Sequence, residues 1–233
     1  MDLTDVRLAI YRWFAFRGEA PTLRDLLAVV GGEAAAIEAA LRQLHDAHLI
    51  VTDSSGAIVM AHPWAARDLG FVVASSEQKW WGGCAWDSLS IAAVLGVDVL
   101  LATRCPYCGR SLSLWVDHRH GPRGDDLVAH LLVPVAQMWN DVVYTCSQQR
   151  FFCSREHVTG WLRRSKLRRG AVLDLDALWR LASTWYAGRM TSEYRRRTPA
   201  EAAAYFTELG LRGEFWRVPG ASASGTATGS GQR

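Results

Sequence analysis

The sequence predicts an α+β fold, an N-terminal winged-helix-like domain followed by a mixed-sheet domain with flanking helices. Three observations carry this. Apolar residues recur at helical spacing up to His48, short apolar runs of strand length take over from Phe71, and capped helical patterns return after Gly170.

The elements follow in order. Val6, Ile10, Trp13 and Phe14 place one apolar face on a helix from Asp5 to Gly18, where the glycine supplies a stop. Thr22 caps a second helix over Leu23–Val30, ended by Gly31-Gly32, and Glu33–His48 makes a third with Ile37, Ala40, Leu41 and Leu44 inward. Leu49-Ile50-Val51, a turn at Asp53-Ser54-Ser55-Gly56 and Ala57–Met60 read as a hairpin, which completes a winged-helix pattern over residues 1–66. The runs Phe71–Ala74, Val97–Thr103, Ser111–Val116, Val128–Val133 and Val142–Thr145 read as strands of a domain spanning 67–169, with helices over Trp86–Leu95 and Ser154–Leu167. Residues 170–218 form a helical extension, in which Asp174 caps Leu175–Tyr186 and Thr198-Pro199 with Glu201 starts a last helix to Leu209. The tail, 219–233, is mostly Gly, Ser, Ala and Thr with little to bury, and is expected to be disordered.

Composition narrows the function classes. At 233 residues and 49% hydrophobic, the chain can bury a sizeable core. A net charge of +3 is small, and the third helix carries Glu33, Glu38 and Asp46 against a single Arg42, so nucleic acid is not an expected partner. Met1–Asp5 lacks the basic residues and apolar run of a signal peptide, and no stretch reaches ~18 uninterrupted apolar residues, so a cytoplasmic protein without membrane contact is expected. Five cysteines, an odd number, favour reduced thiols with metal or catalytic work over paired disulfides.

Two cysteine constellations stand out. In Gly82-Gly83-Cys84-Ala85-Trp86-Asp87, Cys84 opens a helix, where backbone N–H groups and the helix dipole are expected to lower its pKa, and Asp87 falls one turn later on the same face. Such a Cys-x-x-Asp pair is also compatible with a half-buried thiol beside a capping carboxylate. Cys146 ends an expected strand at Val142–Thr145, and with Cys84 it would supply two soft thiolates suited to a soft metal. Separately, Cys105-Pro106-Tyr107-Cys108 and Cys153-Ser154-Arg155-Glu156-His157 offer a Cys₃His set, a candidate structural zinc site. The competing reading makes Cys108 and Cys153 ordinary small core residues. Trp80, Trp81 and Trp86 flank Cys84 as pocket walls or as core, and His118 and His120 sit in a polar loop read as a solvated turn.

Three blocks in order resemble the organomercurial (alkylmercury) lyases: Cys84-Ala85-Trp86-Asp87-Ser88-Leu89, then Cys105 followed by Ser111-Leu112-Ser113-Leu114, then Cys146 ahead of Phe151-Phe152 and Trp161. The resemblance implies that Cys84 and Cys146 are the mercury-binding catalytic cysteines, that Asp87 delivers a proton, and that Cys105 is structural. It implies protonolysis of a carbon–mercury bond to a hydrocarbon and Hg(II), in the service of mercury resistance and detoxification. No organic cofactor is implied, and the expected partners are the organomercurial substrate, with low-molecular-weight thiols and mercuric reductase as acceptors of Hg(II). The chain departs from the family at Ser147, where members carry a second cysteine, and the last sixty or so residues have no clear counterpart.

Two rivals stay open at the level of sequence. One is a zinc-stabilised winged-helix regulator responding to metals or thiols; the other is a lyase homologue that binds mercury without turnover or acts on another carbon–heteroatom bond.

Overall fold

The computed structural model describes residues 1–124 and 126–221. The expected tail therefore lies, from residue 222 on, outside the described residues. The architecture is a mixed α+β one with a large antiparallel sheet.

Three helices lead, α1 (Leu3–Arg17), α2 (Leu23–Val30) and α3 (Ala34–Asp46). Asp2 accepts from the Thr4 N–H at the start of α1 and left-handed Gly18 ends it, while Thr22 and Asp25 form a capping box on α2. The hairpin of β1 (Val51–Thr52) and β2 (Ile58–Ala61) follows, and β3 (Trp64–Ala65) pairs with β2.

These strands do not stand apart. Next come β4 (Val72–Ala74), β5 (Lys79–Gly82), α4 (Ala85–Leu95), β6 (Val99–Arg104), β7 (Ser111–Asp117) and β8 (Gly121–Arg123). Together they complete one eight-stranded antiparallel sheet in the order β1-β2-β3-β5-β4-β6-β7-β8. Along β7 burial alternates strictly, with Leu112, Leu114 and Val116 inward, as a sheet with one solvated face requires. The remaining elements are β9 (Val128–Leu131), α5 (Val142–Ser147), β10 (Gln149–Phe152), α6 (Arg155–Ser165), β11 (Ala171–Asp174), α7 (Leu175–Trp185) and α8 (Pro199–Glu208). The second sheet has the order β10-β9-β11, and its middle strand β9 is buried at every position.

Helix α4 is buried on all sides from Ala85 to Ala92, and it packs against α7 and the large sheet. Ser88 and Ser90 tolerate this burial by donating to the carbonyls of Cys84 and of Trp86 and Ala182.

One expectation fails locally. Val142–Thr145 is helix, not strand, so Cys146 lies inside α5. The β-branched run favours a strand by propensity, but Asp141 accepts from the Tyr144 N–H at 2.9 Å and nucleates a helical turn. After Gly170 the sequence reading also missed β11, which pairs with β9 before Asp174 caps α7 as expected.

Asp141→Ala should lower the unfolding free energy by about 1 kcal/mol, the usual cost of a lost N-cap, whereas Asp141→Ser should retain most of it. Denaturant melts of the three proteins, with amide exchange at Tyr144 and Thr145, measure this, and an unchanged Ala variant would show that packing alone holds α5.

Candidate active site

The site begins at the end of β5. A Cβ on Gly82 would run into the Ser88 hydroxyl and one on Gly83 into the Asp87 carboxylate, so the paired glycines let the chain turn tightly under α4. Cys84 is the N-cap of α4, its sulfur accepting from the Asp87 N–H at 3.4 Å. One helical turn on, Asp87 is 1% exposed. Its Oδ2 accepts from Cys84 Sγ at 3.2 Å and from Cys146 Sγ at 3.7 Å, and its Oδ1 accepts from the Tyr186 hydroxyl at 2.5 Å. One carboxylate thus meets both thiols, one from α4 and one from α5. All three predicted residues come together.

Four further residues complete the arrangement. Gln149 Oε1, at the start of β10, lies 3.1 Å from Cys84 Sγ as a second acceptor for its single proton. Cys146 Sγ lies 3.6 Å from His62 Nε2. Buried Arg189 donates to the His62 carbonyl and to the Tyr194 hydroxyl, and its guanidinium lies 4.5 Å from the centre of the Tyr186 ring. Arg7 of α1 in turn donates to the carbonyls of Arg189 and Thr191 at 2.6 Å.

The two thiols differ in protonation. Cys84 faces two oxygen acceptors, so it keeps its proton: burial, contact with Cys146 and the Asp87 charge push its pKa well above the ordinary thiol value. The N-terminal placement on α4 was expected to lower it, but a single weak N–H contact is outweighed by desolvation and a neighbouring carboxylate. Cys146 goes the other way. The neighbouring Cys84 thiol, with the His62 ring, holds it below the ordinary value against burial and the Asp87 charge. Burial alone would lower the pKa of His62, but Asp87 and Cys146 raise it above the usual imidazole range. Of the two thiols Cys146 is therefore the more readily ionised, beside an imidazole that the same neighbours make easier to protonate, and Cys84 is the one that holds its proton more tightly.

A cavity of about 420 Å³ opens onto these groups. Trp86, Met138, Trp139 and Trp185 give it apolar walls, while Ala202 and Phe206 of α8 cover one side. Of the three tryptophans near Cys84, only Trp86 lines it; the Trp80 indole donates to the Phe14 and Ala15 carbonyls, and Trp81 lies under Lys79. His118 pairs with Asp98 and His120 with Asp117 on the surface, as a solvated turn.

The sequence reading missed His62, Gln149, Tyr186 and Arg189. None sits in a motif, and they join the centre only because β2, β10 and α7 converge on α4. The cysteines and histidine of the candidate zinc set, Cys105, Cys108, Cys153 and His157, gather at a separate place.

The alkylmercury lyase (MerB) family model matches residues 64–187, more than half of the chain. Cys84, Asp87, Cys146, Gln149 and Tyr186 fall inside the match; His62 and Arg189 lie just beyond its ends. Among solved structures, the mercury-bound form of MerB2 superposes with a TM-score of 0.64 at 19% identity, over 81% of this chain and 91% of that one, which establishes likeness of fold. No curated protein matches the chain in sequence.

Alkylation of the full chain by a small haloacetamide, read at each cysteine by peptide mass spectrometry across pH, should modify Cys146 at lower pH than Cys84. His62→Gln should move the Cys146 curve to higher pH by removing a partner of its thiolate, and Asp87→Asn should move the Cys84 curve to lower pH by removing a negative charge. Modification of Cys84 first would reverse the assignment of the proton.

Proposed function

We propose, from the premise that this chain belongs to the alkylmercury lyase family, that it cleaves carbon–mercury bonds by protonolysis with Cys84, Asp87 and Cys146 as its reaction centre. The observation that carries this is the single Asp87 oxygen in contact with both thiols inside a largely apolar cavity. Metal capture and proton delivery must meet at one point, and these contacts bring them together.

The steps balance as follows. The Cys146 thiolate takes R–Hg⁺, forming a sulfur–mercury bond with His62 beside it. Cys84 passes its proton to Asp87 across the 3.2 Å contact and binds mercury as a second thiolate. Electron density from two sulfurs makes the mercury-bound carbon more basic, and Asp87 delivers the proton to it. The carbon–mercury bond breaks with its electron pair on carbon, R–H leaves, Asp87 is again a carboxylate, and Hg(II) remains between the two sulfurs. Tyr186 and Gln149 hold Asp87 and Cys84 in register through all of this. The apolar walls suit the organic group and exclude water from the bond under attack. No organic cofactor enters.

Hg(II) held by two thiolates leaves only by exchange, so external low-molecular-weight thiols, and beyond them mercuric reductase, are the proposed acceptors. A role in organomercury detoxification within the cytoplasm follows from this chemistry; among the described residues no helix is long and apolar enough to cross a membrane.

The leading helices and hairpin are read as a winged-helix unit used for packing. Glu38, Arg42, Gln43 and Asp46 are exposed on α3, a mixed charge pattern poorly suited to phosphates. Its inner residues hold the catalytic segments instead, through Arg7 and through the Trp80 hydrogen bonds to α1. On this reading residues 1–66 brace the site, 67–169 carry its thiols and acid, and 170–218 supply Tyr186, Arg189 and the cavity cover.

Incubation with methyl- or phenylmercury and excess thiol should release methane or benzene from the wild type. Cys84→Ser and Cys146→Ser should each fall to background, while Asp87→Asn should still retain Hg(II) and lose about 10²–10⁴-fold in turnover, the range of a general acid. Normal turnover by Cys146→Ser would remove the second thiol from the mechanism, and binding without hydrocarbon release in the wild type would leave a mercury-binding protein.

A further inference from the structure

The cysteines that the reaction does not use are not scattered. Cys105 directly follows β6 and Cys108 lies three residues on, in the turn to β7. That turn is closed by the Cys105 N–H donating to the Arg110 carbonyl and the Gly109 N–H donating to the Cys105 carbonyl, both at 2.9 Å. Gly109 at φ +75° supplies the left-handed residue that the turn needs. Opposite it, Cys153 follows β10 directly, and His157 stands in the first turn of α6, fixed by its N–H donating to the Ser154 cap. Two strand ends of different sheets thus present a Cys-x-x-Cys turn and a Cys-x-x-x-His helix start to each other.

The distances are those of a small tetrahedron. The ligand atoms of all four residues lie within 4.8 Å of one another. Cys108 Sγ is 3.7 Å from Cys153 Sγ, and Cys105 Sγ is 3.6 Å from His157 Nδ1. Zinc bonds of about 2.3 Å to sulfur and about 2.0–2.1 Å to nitrogen give tetrahedral edges of roughly 3.5–3.8 Å. Backbone N–H groups of Cys108 and Cys153 also reach the Cys105 sulfur, the outer hydrogen bonds that metal-bound thiolates receive. The His157 ring lies 5.0 Å from that of Tyr107, and Tyr107 is itself sandwiched between Gly160, where a Cβ would strike its ring, and the Arg164 guanidinium. Arg164 donates to the Pro106 carbonyl as well, so a cation from α6 stands over the turn.

We infer that Cys105, Cys108, Cys153 and His157 form a structural Cys₃His zinc site, separate from the mercury centre, that staples the β6–β7 turn of the large sheet to the β10–α6 junction of the small one. A closed four-ligand set with no open position serves structure, not catalysis. Its place explains why such a staple is useful. Strand β10 begins at Gln149, which contacts Cys84, and follows α5, which carries Cys146; fixing the far end of β10 fixes the corner on which the second thiol stands.

The test is metal analysis of the full chain, purified under thiol reductant without chelators from medium containing zinc and no mercury. One zinc per chain is expected. Cobalt(II) exchanged into the site should give the intense visible bands of tetrahedral thiolate coordination. Cys84→Ser and Cys146→Ser should keep the zinc, whereas Cys108→Ser and His157→Ala should weaken zinc binding by more than about 100-fold, beyond what loss of an outer-shell partner costs. Circular dichroism reports whether the last two variants still fold, and the wild-type measurement stands whether or not they do. Folded wild type with neither zinc nor a cobalt spectrum overturns the inference. So does zinc lost with Cys84 or Cys146 but retained in Cys108→Ser, or a Cys108–Cys153 disulfide in the reduced protein.

Discussion

A buried carboxylate is tolerated only where donors surround it, and Asp87 is the point on which the rest of the arrangement depends. Groups from three helices meet on it: Cys84 at the start of α4 and Tyr186 just past the end of α7 donate to it, and Cys146 within α5 brings its sulfur to 3.7 Å from the oxygen that Cys84 contacts. Each helix is brought to that point by a separate device. The glycine pair lets β5 turn into α4, the Asp141 cap winds α5, and the apolar faces of α4 and α7 press together. Satisfying one charge therefore organises the middle of the molecule, and the same contacts set a thiol directly against an acid.

Support for this centre comes from outside it. Arg189 is buried without a carboxylate contact among the described residues, and its charge is met by the His62 carbonyl, the Tyr194 hydroxyl and the faces of Tyr11, Tyr186 and Tyr194. Arg7 then ties the Arg189 backbone to α1. The leading helices are thus joined to the groups around Asp87 by buried cation contacts, and their hairpin is continuous with the large sheet. This accounts for a three-helix unit whose outer face is electrostatically mixed: its inner face has the work.

The five cysteines separate by environment. Cys84 and Cys146 share Asp87 and a largely apolar cavity, which suits a soft metal bonded to carbon. Cys105, Cys108 and Cys153 face a histidine at the junction of two sheets, which suits a small tetrahedral ion. Ala202 and Phe206 of α8 line that cavity together with Trp86 and Trp185, so the last helix helps to shape it.

Local chemistry was legible in the sequence wherever it is decided by neighbours along the chain. Thr22, Asp174 and Thr198 cap the helices they were expected to cap, the alternation of Ser111–Val116 marks β7, and the Gly-Gly-Cys-x-x-Asp run puts Cys84 and Asp87 on one helical face. The failure at Val142–Thr145 is also local: three β-branched residues read as strand, and a single cap outweighed them. What only the tertiary structure decided is everything that depends on burial and convergence. Whether Cys84 is thiol or thiolate turns on desolvation and on the charge of Asp87, neither of which its position on a helix reports. His62, Gln149, Tyr186 and Arg189 belong to the site because distant segments pack there, and no spacing along the chain encodes a distance across it.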